Sequence, residues 1–243
     1  MNFLSVLALG LLGSFSPQEA QSIFQQANQE FAAKNYIQAK NGYQKLLEAN
    51  FVGAELHHNL GTTCLELGEL GCAIWNLEKA SQLSPNSEDI HFNLAWARAK
   101  QLDSVPSVET PFFYRVLRNI SNPLLAWLLL GFAWALLLSF VCLRVFPKQA
   151  RLLRAMDFML WVLLGLCAFT FAAKGYAPSQ WEEGIVLPET ALARQLPTEQ
   201  AQPVFELHGG LKVRILERTG QFVKIRTANG QEAWLSLPSL GML

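Results

Sequence analysis

Three small residues, Ala27, Gly61 and Ala95, recur every 34 residues along the first hundred positions of this 243-residue chain. Units numbered from Ala20, Ala54 and Glu88 align without gaps. Place 20 is Ala39 then Ala73, place 24 is Tyr43 then Leu77, and place 27 is Leu46 then Ala80. Such a pattern restricts the chain to stacked helix pairs. Two antiparallel helices cross closely only where Ala or Gly keeps side chains out of the way, and the larger apolar residues fill the layers beside the crossing. Pro85, at place 32, stops the second helix of its unit because it lacks an N–H and clashes with the preceding turn. The third unit keeps only its first helix, around Asn93-Leu94-Ala95, and reads as a capping helix.

The second unit is the cleanest, with Asn59-Leu60-Gly61, Leu67-Gly68-Glu69-Leu70, Ala73, Ala80 and Pro85. This pattern resembles tetratricopeptide repeats, and the resemblance covers roughly residues 20–102. It implies a concave groove, lined by the first helix of each pair, that binds segments of other proteins. The places facing it hold Phe24 and Asn28, then His58, Asn59 and Thr62, then Phe92, Asn93 and Trp96. Members that grip a C-terminal carboxylate carry Lys and Arg beside Asn. Those bases are missing and Asp89 occupies one of their places, so no carboxylate clamp is expected. The expected groove is neutral with aromatic anchors, and its binding should depend little on salt. Asn59 and Asn93 keep two readings open: ligand contact, or satisfaction of backbone groups where helices pack.

Apolar residues are concentrated further along. Leu124–Leu143 is a run of twenty residues without a charge, which at ~1.5 Å per residue spans about 30 Å, the thickness of a bilayer core. A second stretch, Phe158–Ala173, reaches adequate length from residue 155, with Asp157 near one interface and Lys174 closing the other. Arg144, Lys148, Arg151 and Arg154 crowd into the connection, residues 144–154, which marks it as the cytoplasmic loop. Both soluble parts then face the periplasm. Phe3–Leu12 within residues 1–16 has signal-peptide length, although no Lys or Arg precedes it and Pro17 disfavours cleavage after Ser16. A retained anchor is the other reading. Residues 103–123 comprise a polar linker, Asp103–Thr110, and a segment with aromatics and two arginines, Pro111–Asn122, expected to lie as a helix in the outer interface.

After Tyr176 the period changes from helical to alternating. Strands are expected at Gly184–Leu187, Ala191–Ala193, Leu211–Leu216, Phe222–Arg226 and Trp234-Leu235, separated by turns at Gly209-Gly210, Thr219-Gly220 and Asn229-Gly230. Phe205 to Gly210, Phe222 to Ile225 and Ala233-Trp234-Leu235 make residues 176–243 resemble bacterial Src-homology-3-like (SH3-like) barrels, in which Phe222 and Trp234 would belong to the core. The resemblance implies binding of peptides or cell-wall polymers through an aromatic cleft.

The chain shows no glycine-rich phosphate loop, no nucleophile motif and no His/Cys set at metal-ligand spacing, so no enzyme, cofactor or metal is expected. His57 and His58 are neighbours on one helix, with rings about 100° apart, and cannot chelate one ion well. Cys142 and Cys167 are apolar fillers of the spans. Cys64 and Cys72 flank an inter-helix turn in an oxidising compartment and are candidates for a disulfide. The formal net charge is zero and no basic patch exists, which excludes nucleic acid as a partner.

The expected fold is therefore multidomain: an all-α tetratricopeptide array, a two-helix transmembrane hairpin (residues 124–143 and 155–173) and a small all-β SH3-like barrel. In that order, behind an export signal, these parts resemble the BatE-type members of the Bacteroides aerotolerance (Bat) family. The resemblance implies a non-enzymatic inner-membrane scaffold for stress tolerance or envelope integrity. Its implied partners are von Willebrand-type membrane proteins and a MoxR-type ATPase. The alternative is an anchoring protein that holds peptidoglycan through the SH3-like domain.

Overall fold

The computed structural model of the chain describes residues 15–103, 122–145, 150–176 and 182–243. It divides into two compact units. The first joins the N-terminal helices to the C-terminal sheet, and the second contains the two apolar helices. The expected signal segment up to Ser14, the interfacial helix and the rest of the linker beyond Asp103 lie outside the described residues.

Five helices form the array: α1 (Pro17–Ala32), α2 (Tyr36–Glu48), α3 (Ala54–Glu66), α4 (Leu70–Leu83) and α5 (Glu88–Ala99). Ser16 starts α1 with a capping box, its hydroxyl accepting from the Glu19 N–H while the Glu19 carboxylate accepts from the Ser16 N–H at 2.7 Å. Pro17 fits the first turn, where its missing N–H would have had no partner. Phe15 packs against the array core, so Phe15 and Ser16, inside the expected signal segment, are parts of the folded array.

The small residues sit where the period demanded. A Cβ on Gly42 would lie 2.9 Å from the Ala27 Cβ, and one on Gly61 would lie 2.8 Å from Leu77, so α1 meets α2 and α3 meets α4 at close crossings. Ala95, the third of the series, is exposed, because among the described residues no second helix follows α5. The turn after the first helix of each pair uses a left-handed residue at the same place, Lys34 (φ 63°) and then Gly68 (φ 76°). Phe24, Tyr43, Leu46, Leu60, Ile74 and Leu77 form the core. Deleting such a side chain, as in Leu60→Ala, costs about 2–5 kcal/mol.

Seven antiparallel strands make the β-module: β1 (Glu183–Val186), β2 (Thr190–Arg194), β3 (Pro203–His208), β4 (Lys212–Thr219), β5 (Phe222–Arg226), β6 (Glu232–Ser236) and β7 (Leu240–Met242), in the order β3-β2-β6-β5-β4-β1-β7. Two strands were not anticipated. β3 begins with Pro203 and carries Glu206 on the sheet edge, and β7 is only Leu-Gly-Met; neither shows a clear alternation. Gly210, Gly220 and Gly230 take positive φ at the three anticipated turns. The core consists of Val213, Ile215, Val223, Ile225, Ala233 and Leu235. Phe222 and Trp234, expected inside, are only half-buried: the alternation that turns Val223 and Leu235 inward turns their neighbours to the other face.

The β-module packs directly on the array. Gly71 on α4 has no room for a side chain, because a Cβ there would collide with the Leu187 carbonyl. Nearby, a Cβ on Gly210 would lie 2.5 Å from Ile74. The Trp75 indole N–H donates to the Met242 carbonyl at 2.8 Å, and the Gln101 carboxamide donates to the Gly210 carbonyl at 2.5 Å. Behind this lies an ion network built on the buried carboxylates of Glu78 and Glu183. Glu78 pairs with Arg98 and lies 3.9 Å from the Lys212 ammonium, which in turn meets Glu183 at 2.8 Å. Asp103, expected to begin a free linker, binds His208 instead.

In the second unit, α6 (Asn122–Val145) and α7 (Ala150–Tyr176) pack side by side, the Cys167 thiol donating to the Leu125 carbonyl at 3.7 Å. Each contains a 20-residue stretch long and apolar enough to cross a membrane, Pro123–Cys142 and Arg154–Ala173.

Candidate functional site: a carboxamide-lined groove

The first helices of the pairs, α1, α3 and α5, bring Asn28, His58, Asn59, Thr62 and Asn93 around one cavity of about 270 Å³, completed by Phe31 and Tyr43. Its polar groups are bonded to one another in sequence across the array. The Tyr43 hydroxyl donates to Asn28 Oδ1 at 2.6 Å, and the Asn59 carboxamide donates to the same oxygen at 3.0 Å. One step on, the Asn93 carboxamide donates to His58 Nε2 at 2.8 Å and to the Thr62 hydroxyl at 3.2 Å. The Thr62 hydroxyl donates to the His58 carbonyl at 2.9 Å.

These bonds bear on the packing reading of the asparagines. The Asn59 and Asn93 side chains bond to other side chains across helices and satisfy no backbone group at a packing site. They also set what each amide has left to offer. The Asn28 oxygen accepts from two donors, while among the described residues its NH2 group has no acceptor. Both Asn93 protons are used, so its Oδ1 remains as an acceptor. The cavity thus presents donors at the α1 end and an acceptor at the α5 end, on side chains already locked in place.

Burial governs the ionisable groups of the floor. It pushes the Tyr43 phenol up to about 12, against a hydrogen bond from Asn59 that favours ionisation. It holds His58 below the usual histidine range, while Asp89 and Glu55 nearby favour the charged ring. With Asn93 donating to Nε2, the neutral His58 carries its proton on Nδ1.

The three expected aromatic anchors are placed differently. Phe24 is 3% exposed and stacks at a tilt on Tyr43 in the core, so it is not a groove residue. Phe92 is 69% exposed on α5 and does not line the cavity. Trp96 is 48% exposed, and the Lys100 ammonium covers its ring at 4.6 Å from the centroid. Phe31 and Tyr43 supply the aromatic walls in their place. Phe31 was not anticipated. Its signal was its position three residues after Asn28 on the same face of α1.

Elsewhere, His57 is buried and its Nδ1 meets the Asn76 carboxamide oxygen at 2.9 Å, on a different side of α3 from His58. Cys64 and Cys72 form a disulfide across the α3–α4 turn. With Glu69 they place three ligand-type atoms within 4.8 Å of one another, but a disulfide has no thiolates to give a metal, and Glu69 is paired with Lys40. On the β-module a shallow depression of about 450 Å³ is lined by Gln195, Gln202, Pro203, Val204 and Glu232, without an aromatic ring. No protein-family model matches the chain, and no curated protein matches it significantly.

Proposed function

We propose that the protein is a non-enzymatic scaffold, held in the bacterial inner membrane by α6 and α7, whose groove binds an extended segment of a partner protein. The helix pairs are read as tetratricopeptide repeats and the β-module as an SH3-like domain, with both on the periplasmic side. One observation carries the binding function: the cavity spanning α1, α3 and α5 has its carboxamides held by hydrogen bonds, Asn59 to Asn28 and Asn93 to His58 and Thr62, with a donor and an acceptor left over at opposite ends. Peptide backbone offers the complementary carbonyls and amides, and pre-locked side chains lose little further entropy on binding. The docked β-module leaves that side open, because it contacts α4 and the chain after α5. The Bat-type architecture names the partners to look for: von Willebrand-type membrane proteins with a MoxR-type ATPase.

The test is gentle detergent extraction of the tagged full-length protein, with mass spectrometry of what co-purifies, beside a variant carrying Asn28→Ala, Asn59→Ala and Asn93→Ala. The expected result is recovery of those partners with the parent protein and their loss with the variant. Equal recovery by both would overturn the groove as the binding site. Recovery of wall fragments in place of proteins would favour peptidoglycan anchoring through the β-module.

A further inference from the structure

Glu55 and Asp89 are 34 residues apart, at the same place in consecutive helix pairs, and each stands one turn before a groove asparagine. Glu55 precedes Asn59 on α3, and Asp89 precedes Asn93 on α5. Residues four apart share a helix face, so the carboxylates extend the stripe that carries the carboxamides. Both are exposed, and neither has an ion-pair partner among the described residues. Some acids of the unit are matched, Glu69 by Lys40, Glu78 by Arg98, Glu183 by Lys212 and Glu232 by Lys224 and Arg226; what sets Glu55 and Asp89 apart is their place beside the groove asparagines. The charge of Asp89 and Glu55 reaches His58, and that of Glu55 reaches Tyr43, so the floor of the groove feels it. His58 is kept neutral by burial and does not cancel it. Lys100 is the C-cap at the opposite end of α5 from Asp89 and is engaged with Trp96. The groove is thus acidic at one edge, where the composition of its lining had suggested neutrality.

We propose that the groove selects a partner segment carrying a lysine or arginine side chain, whose cationic head is received by Glu55 and Asp89 while the carboxamides hold the backbone. An acidic segment would meet two like charges and is disfavoured. This rests on the groove being a peptide site, and it adds the charge of the ligand. Binding then weakens as salt rises, because exposed charges are screened.

The test uses the full-length protein in nanodiscs of zwitterionic lipid and two fluorescein-labelled peptide pools identical except for one central residue, arginine in one and glutamate in the other. Fluorescence anisotropy should show the arginine pool binding about fivefold more tightly at low salt, the size of one or two exposed ion pairs. That advantage should vanish in the Glu55→Gln/Asp89→Asn variant, whose groove hydrogen bonds are intact. Equal affinity for the two pools, or preference for glutamate, overturns the charge selection and leaves the peptide groove standing when Asn28→Ala/Asn59→Ala abolishes binding of both. If neither pool binds, both readings are overturned.

Discussion

Asp103 holds His208 through both of its oxygens: Oδ1 meets the ring Nδ1 at 2.8 Å, and Oδ2 accepts the His208 backbone N–H at 2.9 Å. The two residues are 105 positions apart, with both apolar helices between them in sequence. Together with Gln101 and Trp75, this pair fastens the β-module to the array as one body.

Loss of that contact should be measurable. Asp103→Ala removes two hydrogen bonds, one of them to a backbone group that is then left without its acceptor, and should cost about 2 kcal/mol. Asp103→Asn keeps a carbonyl oxygen for the backbone N–H and should cost less. Denaturant unfolding of the detergent-solubilised chain compares the two, and equal losses would show that the charge matters more than the acceptor.

Gly71 should tolerate no side chain. A methyl group there collides with backbone at Leu187, which cannot rotate away as a side-chain tip can. Gly71→Ala should destabilise by about 1–3 kcal/mol or separate the β-module from the array. Hydrogen exchange reads the outcome, as faster exchange of the Gly209 and Gly210 amides, which bond to Glu189 and Val186 beside the contact.

The Cys64–Cys72 bridge closes a short loop between α3 and α4, eight residues apart in sequence. Its removal by Cys64→Ala/Cys72→Ala should lower stability by about 2–3 kcal/mol in the chain-entropy account. A reductant should shift the parent by a similar amount and leave the variant unmoved. Alkylation without reductant should leave Cys64 and Cys72 unlabelled in the mass spectrum.

His57 should make the array sensitive to mild acid. Burial depresses its folded pKa below the ordinary 6.5, more than the Asn76 hydrogen bond raises it. The unfolded chain therefore binds a proton in a range where the folded chain does not. Stability is full above about pH 6.5 and falls as pH drops from there to the depressed folded value. Half-buried His58 has the same sign. His57→Gln should flatten the pH dependence between neutral pH and about 5, as followed by thermal melts in matched buffers.

The features readable from the residues are those whose information lies within one or two turns of chain. Small residues at a 34-residue period placed the crossings at Ala27 and Gly61, Gly-containing pairs placed three turns of the sheet, and uncharged runs placed α6 and α7. The site was partly readable. A helical face gives the direction of Asn28, Asn59 and Asn93, but Phe24 and Phe31, seven residues apart, share one face of α1, a turn before and a turn after Asn28, so periodicity does not tell which is core and only packing along the helix decides it.

By itself, then, the sequence determined the helix pairs, the apolar spans, most of the strands and the neighbourhood of Cys64 and Cys72, because hydrophobic period and turn chemistry are local properties of the chain. Only the tertiary structure decided that the β-module docks on α4, that Tyr43 and Asn59 bond to Asn28 while Asn93 bonds to His58 and Thr62, and that Glu55 and Asp89 have no ion-pair partner among the described residues. Contacts such as Trp75 to Met242, 167 positions apart, depend on how whole elements pack. The residues that make them, a glycine, an indole or a single carboxylate, carry no periodic signal of the partner they will meet.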